Sequence, residues 1–127
     1  MRDKHGSPTV LRRLGRIGIA SIFIHSGIDA AFEPGMRPAK LEAVGIPEPE
    51  LMVRLNGAGM AIAGTTLGLG IRPRESALAL LALLVPTTLV GHAFWNEEGP
   101  ARRMQEMQFL KNVALAGGLL TVIASES

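Results

Sequence analysis

The sequence predicts an all-α fold, a four-transmembrane-helix antiparallel bundle forming one domain over residues 1–127. Three observations lead there. Four apolar runs, at about 14–32, 51–71, 76–95 and 109–124, each approach the length an α-helix needs to cross a bilayer. Hydrophobic residues make up 47% of the chain, yet residues 55–71 carry no charge and 76–95 only His92 among ionisable groups. The polar stripe of a soluble bundle helix is therefore missing. A chain of 127 residues is too short to bury such helices in its own interior, which leaves lipid to cover them.

Residues 1–12 are polar and basic, with Pro8, and read as a flexible or interface-lying arm. The first run follows like the apolar core of a signal peptide. It contains His25 and Asp29 and has no convincing small-residue cleavage site, so it reads as an uncleaved first span. The first loop, about 33–50, holds Pro34, Gly35, Pro38, Pro47 and Pro49 and must break helix repeatedly. Leu41, Val44 and Ile46 give it apolar surface to fold back over the bundle mouth.

The second run carries Gly57, Ala61, Gly64 and Gly68 at spacings of four, three and four, a smooth ridge for close helix contact. Arg72-Pro73-Arg74-Glu75 forms a tight turn, making the helices on either side antiparallel neighbours. Pro86 interrupts the third run, with Thr87 and Thr88 beside it to recover freed backbone groups. Pro100 suits a first helical turn, which starts the fourth helix near Ala101, ahead of its apolar part. Gly117 and Gly118 add small residues for packing there. No internal repeat is evident.

The basic balance, +2, comes mostly from an N-terminal cluster and not from a nucleic-acid patch, so no nucleic-acid partner is expected. Arg2, Lys4, Arg12, Arg13, Arg16, Arg72 and Arg74 lie on one side of the predicted topology, against Arg37, Lys40, Arg102 and Arg103 on the other. Seven against four places both termini in the cytoplasm. With no cysteine, the chain cannot exchange disulfides itself or bind iron–sulfur clusters through thiolates.

Polar residues embedded in the runs mark a candidate site. They are His25 and Asp29, late in the first run; Arg54 and Asn56, early in the second; His92, late in the third; and Gln108, Lys111 and Asn112, early in the fourth. Alternating helix directions put all of them at one side, the extracytoplasmic half on this topology. His25 and Asp29 are four apart and share a helix face. Arg54, Lys111 and His25 are candidate partners for the Asp29 carboxylate, which is costly to bury alone. The pair either relays protons or fixes helix register. Arg54 can instead snorkel to headgroups, while Asn56 is deeper and suited to bonding another helix.

His92 stands about one turn below Trp95, whose default role is that of an interfacial anchor. With Gln105, the residues Gln108, Lys111 and Asn112 give the fourth helix a polar face toward the bundle. No metal signature exists, no cofactor is evident, and neither a phosphate loop nor a hydrolase elbow is present. A quinone stays open as a ligand, because His92, Lys111 and the His25–Asp29 pair can supply donors and a proton route.

The chain also resembles the actinobacterial branch of the DoxX family of small four-helix membrane proteins. The resemblance runs through Ser21-Ile22-Phe23-Ile24-His25-Ser26-Gly27-Ile28-Asp29-Ala30 and Val53-Arg54-Leu55-Asn56-Gly57-Ala58. Its most distinctive stretch is Val85-Pro86-Thr87-Thr88, then Gly91-His92-Ala93-Phe94-Trp95 and Phe109-Leu110-Lys111-Asn112. It implies a bacterial inner-membrane protein with four spans, associated with thiol or sulfur oxidation and quinone-linked redox systems. Many relatives have a lysine near the position of Asp29 or Ala30, where this chain has none.

The expected function is a non-catalytic partner or subunit of such a redox system, with membrane or soluble redox proteins as partners alongside the lipid bilayer. The alternative is a small transporter or channel. Four helices leave little lumen in a monomer, so that alternative requires a homo-oligomer.

Overall fold

The computed structural model describes residues 9–126, and among these the chain is all helical, with no strand. Its elements are α1 (Thr9–Phe32), α2 (Arg37–Ala43), α3 (Pro49–Leu69), α4 (Pro73–Gly91), a 3-10 turn (Phe94–Asn96) and α5 (Gly99–Ser125). The part of the expected arm over residues 1–8 lies outside the described residues. Residues 9–12 are helical, so Arg12 stands on the opening turn of α1 instead of on an arm, followed on the same helix by Arg13 and Arg16.

Prolines set the boundaries. Pro38, Pro49, Pro73 and Pro100 each occupy the first turn of a helix, where a missing N–H costs nothing. Glu48 and Arg72 precede two of these prolines and adopt left-handed φ values of 50° and 45°. A following proline disfavours the right-handed helical region, so each helix starts abruptly there. Gly70, at φ 75°, ends α3 while the backbone N–H groups of Gly70 and Ile71 return to Leu67 and Thr66 carbonyls.

The helices pair antiparallel along the chain. In α1 and α3 the small residues meet backbone to backbone. A Cβ added at Gly27 would lie 2.5 Å from the Gly57 carbonyl oxygen, and one at Gly57 would lie 2.6 Å from the Gly27 oxygen. Gly64 lies against Phe23 and Ala20, and Gly68 against Ala20. The expected ridge of α3 is thus the surface that receives α1, and Gly27 is its partner. Between α3 and α4, Thr66 and Ser76 share a 2.6 Å hydrogen bond beside the turn. Gly118 of α5 receives the Ile19 side chain of α1, whereas a Cβ added at Gly117 would meet nothing within 4 Å among the described residues.

The buried core is small. Phe23, Met60, Leu67, Leu80, Leu84, Leu119 and Val122 dominate it, and Leu67, Leu80 and Leu119 are its fully buried large side chains. More large apolar side chains lie outside it. Ile17, Ile28 and Phe32 on α1, Leu55, Ile62 and Leu69 on α3, Leu78, Val85 and Leu89 on α4, and Leu110, Val113 and Leu120 on α5 are all exposed. An apolar surface on every long helix is not one that water solvates well.

By length and composition, α4 with its 3-10 extension and α5 qualify as membrane spans among the described residues. The first and second expected spans do not meet that test. Arg12, Arg13, Arg16 and Asp29 dilute α1, and Arg54, Asn56 and the small-residue ridge dilute α3. The third expected span also differs: α4 stops at Gly91, and the chain turns at His92 before Phe94–Asn96. Lys40 of α2 donates to the Gly91 carbonyl at 2.6 Å, satisfying the end that the helix leaves open.

Gly57→Ala is expected to lower stability by about 1–3 kcal/mol, because its methyl group would meet backbone. Gly15→Ala, with open space around it, should be neutral or mildly stabilising. Thermal unfolding of the two variants in detergent checks the contrast.

Candidate functional site

The candidate residues occupy the end of the molecule where α1 and α4 finish and α3 and α5 begin. There they separate into three local arrangements.

The innermost is a polar clasp on α4. Asn56 donates from Nδ2 to the Leu83 carbonyl at 3.3 Å and accepts from the Thr87 hydroxyl at 3.2 Å. From the other side, Asn112 of α5 donates to the Thr88 hydroxyl at 3.0 Å, and Thr88 donates to the Leu84 carbonyl at 2.8 Å. Asn112 is only 4% exposed, so this bond is made out of contact with solvent. Pro86 supplies no N–H to the Ala82 carbonyl. Thr87 and Thr88 do not reach that group; they bond the next two carbonyls and pass the connection to α3 and α5.

A second arrangement surrounds His92. Its Nδ1 meets Gln105 Oε1 of α5 at 2.8 Å, across the connection between α4 and α5. An amide oxygen only accepts, so Nδ1 carries the proton and the neutral ring keeps its Nε2 lone pair. Lys111, Lys40 and Arg37 stand near enough to act on this imidazole electrostatically. Lys111 is exposed and donates to Gln108 at 2.8 Å. Beside them the rings of Phe94, Trp95 and Phe109 form a mutual edge-to-face cluster, with centroids 5.3–5.9 Å apart. Arg102 lies over Phe94 at 5.4 Å.

The third arrangement faces outward. His25 is exposed, and its imidazole makes no hydrogen bond among the described residues, to Asp29 or any other side chain. Asp29 does not pair with Arg54, Lys111 or His25; its carboxylate takes the Arg37 guanidinium at 3.0 Å, with both side chains nearly half exposed. Arg54 donates to the Ala31 carbonyl at 2.6 Å, closing the end of α1, and pairs with Glu50 one turn earlier at 3.0 Å. The site therefore does not gather His25 and Asp29 with His92. Asn56 and Asn112 hold α4 through Thr87 and Thr88, while His92 bonds Gln105 and Lys111 bonds Gln108, with no hydrogen bond joining these groups to one another among the described residues.

Arg37 and Lys40 are the contributors that reasoning from the runs missed. Their three-residue spacing puts them on one face of a helix. What hid them was α2 itself, a helix of seven residues inside a segment dense in proline. Among the described residues, no group of three or more His, Asp or Glu side chains is arranged to hold a metal ion.

The DoxX family model matches residues 11–93. The chain is also similar to the inner membrane protein YphA of Escherichia coli (strain K12). It is 27% identical to that protein over 111 residues, covering 87% of this chain and 79% of the relative. No solved structure matches the chain.

Asn112→Leu removes the buried bond to Thr88 while keeping volume, and should cost about 1 kcal/mol. Lys111→Met, at an exposed position, should change stability by less than about 0.5 kcal/mol. Denaturant unfolding in a mild detergent measures both.

Proposed function

The chain belongs to the DoxX family of membrane proteins, and from that premise we propose that it spans the bacterial inner membrane four times, as an antiparallel bundle. In this reading both termini are cytoplasmic and the polar end faces outward. The protein is a non-catalytic subunit or partner of a redox system that presents a quinone headgroup to other proteins. The exposed Leu, Ile and Val side chains on all four long helices support the embedding. Helices that are individually too polar for a lone span are carried across when their polar groups bond a neighbour, as Asn56 and Arg54 do.

One observation carries the ligand: the fixed His92–Gln105 pair lies beside an aromatic cluster at the end of an apolar exterior. A quinone ring is flat and apolar, so it can stack on Trp95 or Phe109 as it arrives from the lipid. Its carbonyl oxygens need donors, which Lys111 supplies. Its reduced form carries hydroxyls, which the Nε2 lone pair of His92 can accept. With no cysteine in the chain, electrons drawn from thiols would reach the quinone through a partner protein.

Two measurements test this reading. The protein should stay in the membrane pellet after alkaline carbonate washing; release into the supernatant removes the embedding. Trp95 is the sole tryptophan, so a short-chain menaquinone analogue should quench its fluorescence saturably. His92→Phe and Lys111→Met should each weaken that binding about tenfold, the loss of one charge-assisted or buried hydrogen bond. Quenching that stays linear, or that both variants retain unchanged, rejects the quinone site.

A further inference from the structure

The side of α1 that points away from the bundle is exposed along its length among the described residues. Leu14, Gly18, Ser21, His25, Ile28 and Phe32 lie on it, alternately four and three residues apart, which keeps them on one face of the helix. They stand opposite Ala20, Phe23, Gly27 and Ala30, the residues that α1 buries. A Cβ added at Gly18 would meet nothing within 4 Å among the described residues, so a neighbouring backbone has room to approach there.

His25 sets this face apart from the other exposed surfaces. Thr65 on α3 and Thr121 on α5 return their hydroxyls to the Ala61 and Gly118 carbonyls of their own helices. The His25 imidazole has no such bond among the described residues. It stands seven residues short of the end of α1, about 10 Å in along the helix. An imidazole turned to hydrocarbon at that depth leaves both nitrogens unmatched, which is costly. Lipid is the wrong cover for it.

We infer that this face binds a second copy of the chain, α1 alongside α1 and parallel to it, about a two-fold axis along the membrane normal. The inference rests on the membrane reading above but not on the quinone site, whose residues lie on other elements. A two-fold interface sets like against like at one depth, so the face has to be complementary to itself. Ser21 donates its proton to the Gly18 carbonyl at 2.7 Å, and its oxygen keeps a lone pair for an outside donor. Side chains on a helix lean toward its N-terminus, which carries the His25 ring of one copy back to the level of Ser21 in the other, one turn earlier. Each copy then donates from His25 to the other's Ser21, and the axis relates the two bonds. Like charges do not meet. Arg12 and Arg16 turn to Glu126, and Asp29 at the outer edge is paired with Arg37. Arg13 stands about 100° around the helix from Leu14. A different protein would have to bring its own acceptor to that depth, whereas a second copy necessarily brings one.

The chain contains no cysteine, so an introduced one is its sole thiol. Leu14→Cys and Gly18→Cys on the face, with Ile62→Cys on α3 and Leu120→Cys on α5 as exposed controls, are oxidised with copper phenanthroline in the membranes of expressing bacteria. The first two should give a disulfide-linked band at twice the mass of the chain, and the controls little of it. Association of the full chain is then read by energy transfer between labelled copies in phosphatidylcholine vesicles at increasing dilution. His25→Phe should weaken it about tenfold, and His25→Gln, which keeps a donor, should recover most of the loss.

Equal cross-linking at all four positions marks random collision and overturns the inference, as does a band joining the α1 cysteines to a different protein. So does a His25→Phe variant that associates as the wild type does. A chain that resists carbonate extraction yet stays monomeric loses this interface alone and keeps its place in the membrane. One released by carbonate loses the membrane reading with it.

Discussion

The contact between Gly27 and Gly57 is the constraint on which the arrangement of this molecule turns. At that crossing each glycine's carbonyl stands where the other residue's side chain would begin. With so few large side chains buried, packing of backbone on backbone replaces the burial that drives a soluble fold. It also fixes register: with Gly27 opposite Gly57, Arg54 falls beside the last turn of α1 and caps its Ala31 carbonyl. The N-terminal half of the polar end is positioned as a consequence.

The second half is positioned by hydrogen bonds. Asn56 and Asn112 grip α4 from opposite sides, at consecutive threonines just past Pro86. A proline in a helix interior leaves one carbonyl without its N–H and weakens the local ladder. The clasp sits where α4 is least self-sufficient and ties it to both neighbours at once. His92 lies one turn further on, held by Gln105, so its orientation follows from the α4–α5 pairing. The two ends of the molecule consequently differ in kind. One is a layer of amide, hydroxyl and imidazole groups under aromatic rings, and the other carries the arginines that open α1 and α4.

Much of the helical framework was legible in the chain. Pro100 was readable as a first helical turn, whereas Pro38 and Pro49 read as breakers within a loop and Pro73 as part of a turn, and all three prove to open helices; the spacing of Gly57, Ala61, Gly64 and Gly68 marks the face that meets α1. The site was legible only as a depth. Counting residues along each run shows that His25, Asp29, His92 and Lys111 fall near one end, but not which way each points. The structure turns His25 and Asp29 outward and gives Asp29 to Arg37 on α2. No periodicity announced that helix, since seven residues between prolines are too few to show one. The pairing of Arg16 with Glu126 was equally hidden, because the two are 110 positions apart.

What the sequence by itself determined is therefore local: where helices begin, which faces are smooth, and that its apolar content exceeds what so short a chain can bury. Those properties depend on backbone sterics and composition within a few residues. Only the tertiary structure decided which polar groups meet. Helices of similar apolar character can rotate about their axes at little cost in burial, so hydrophobic pattern alone does not set their facing. Here the glycine crossing and the asparagine clasp choose the rotation, because each satisfies a close approach or a buried donor that other facings leave unmet.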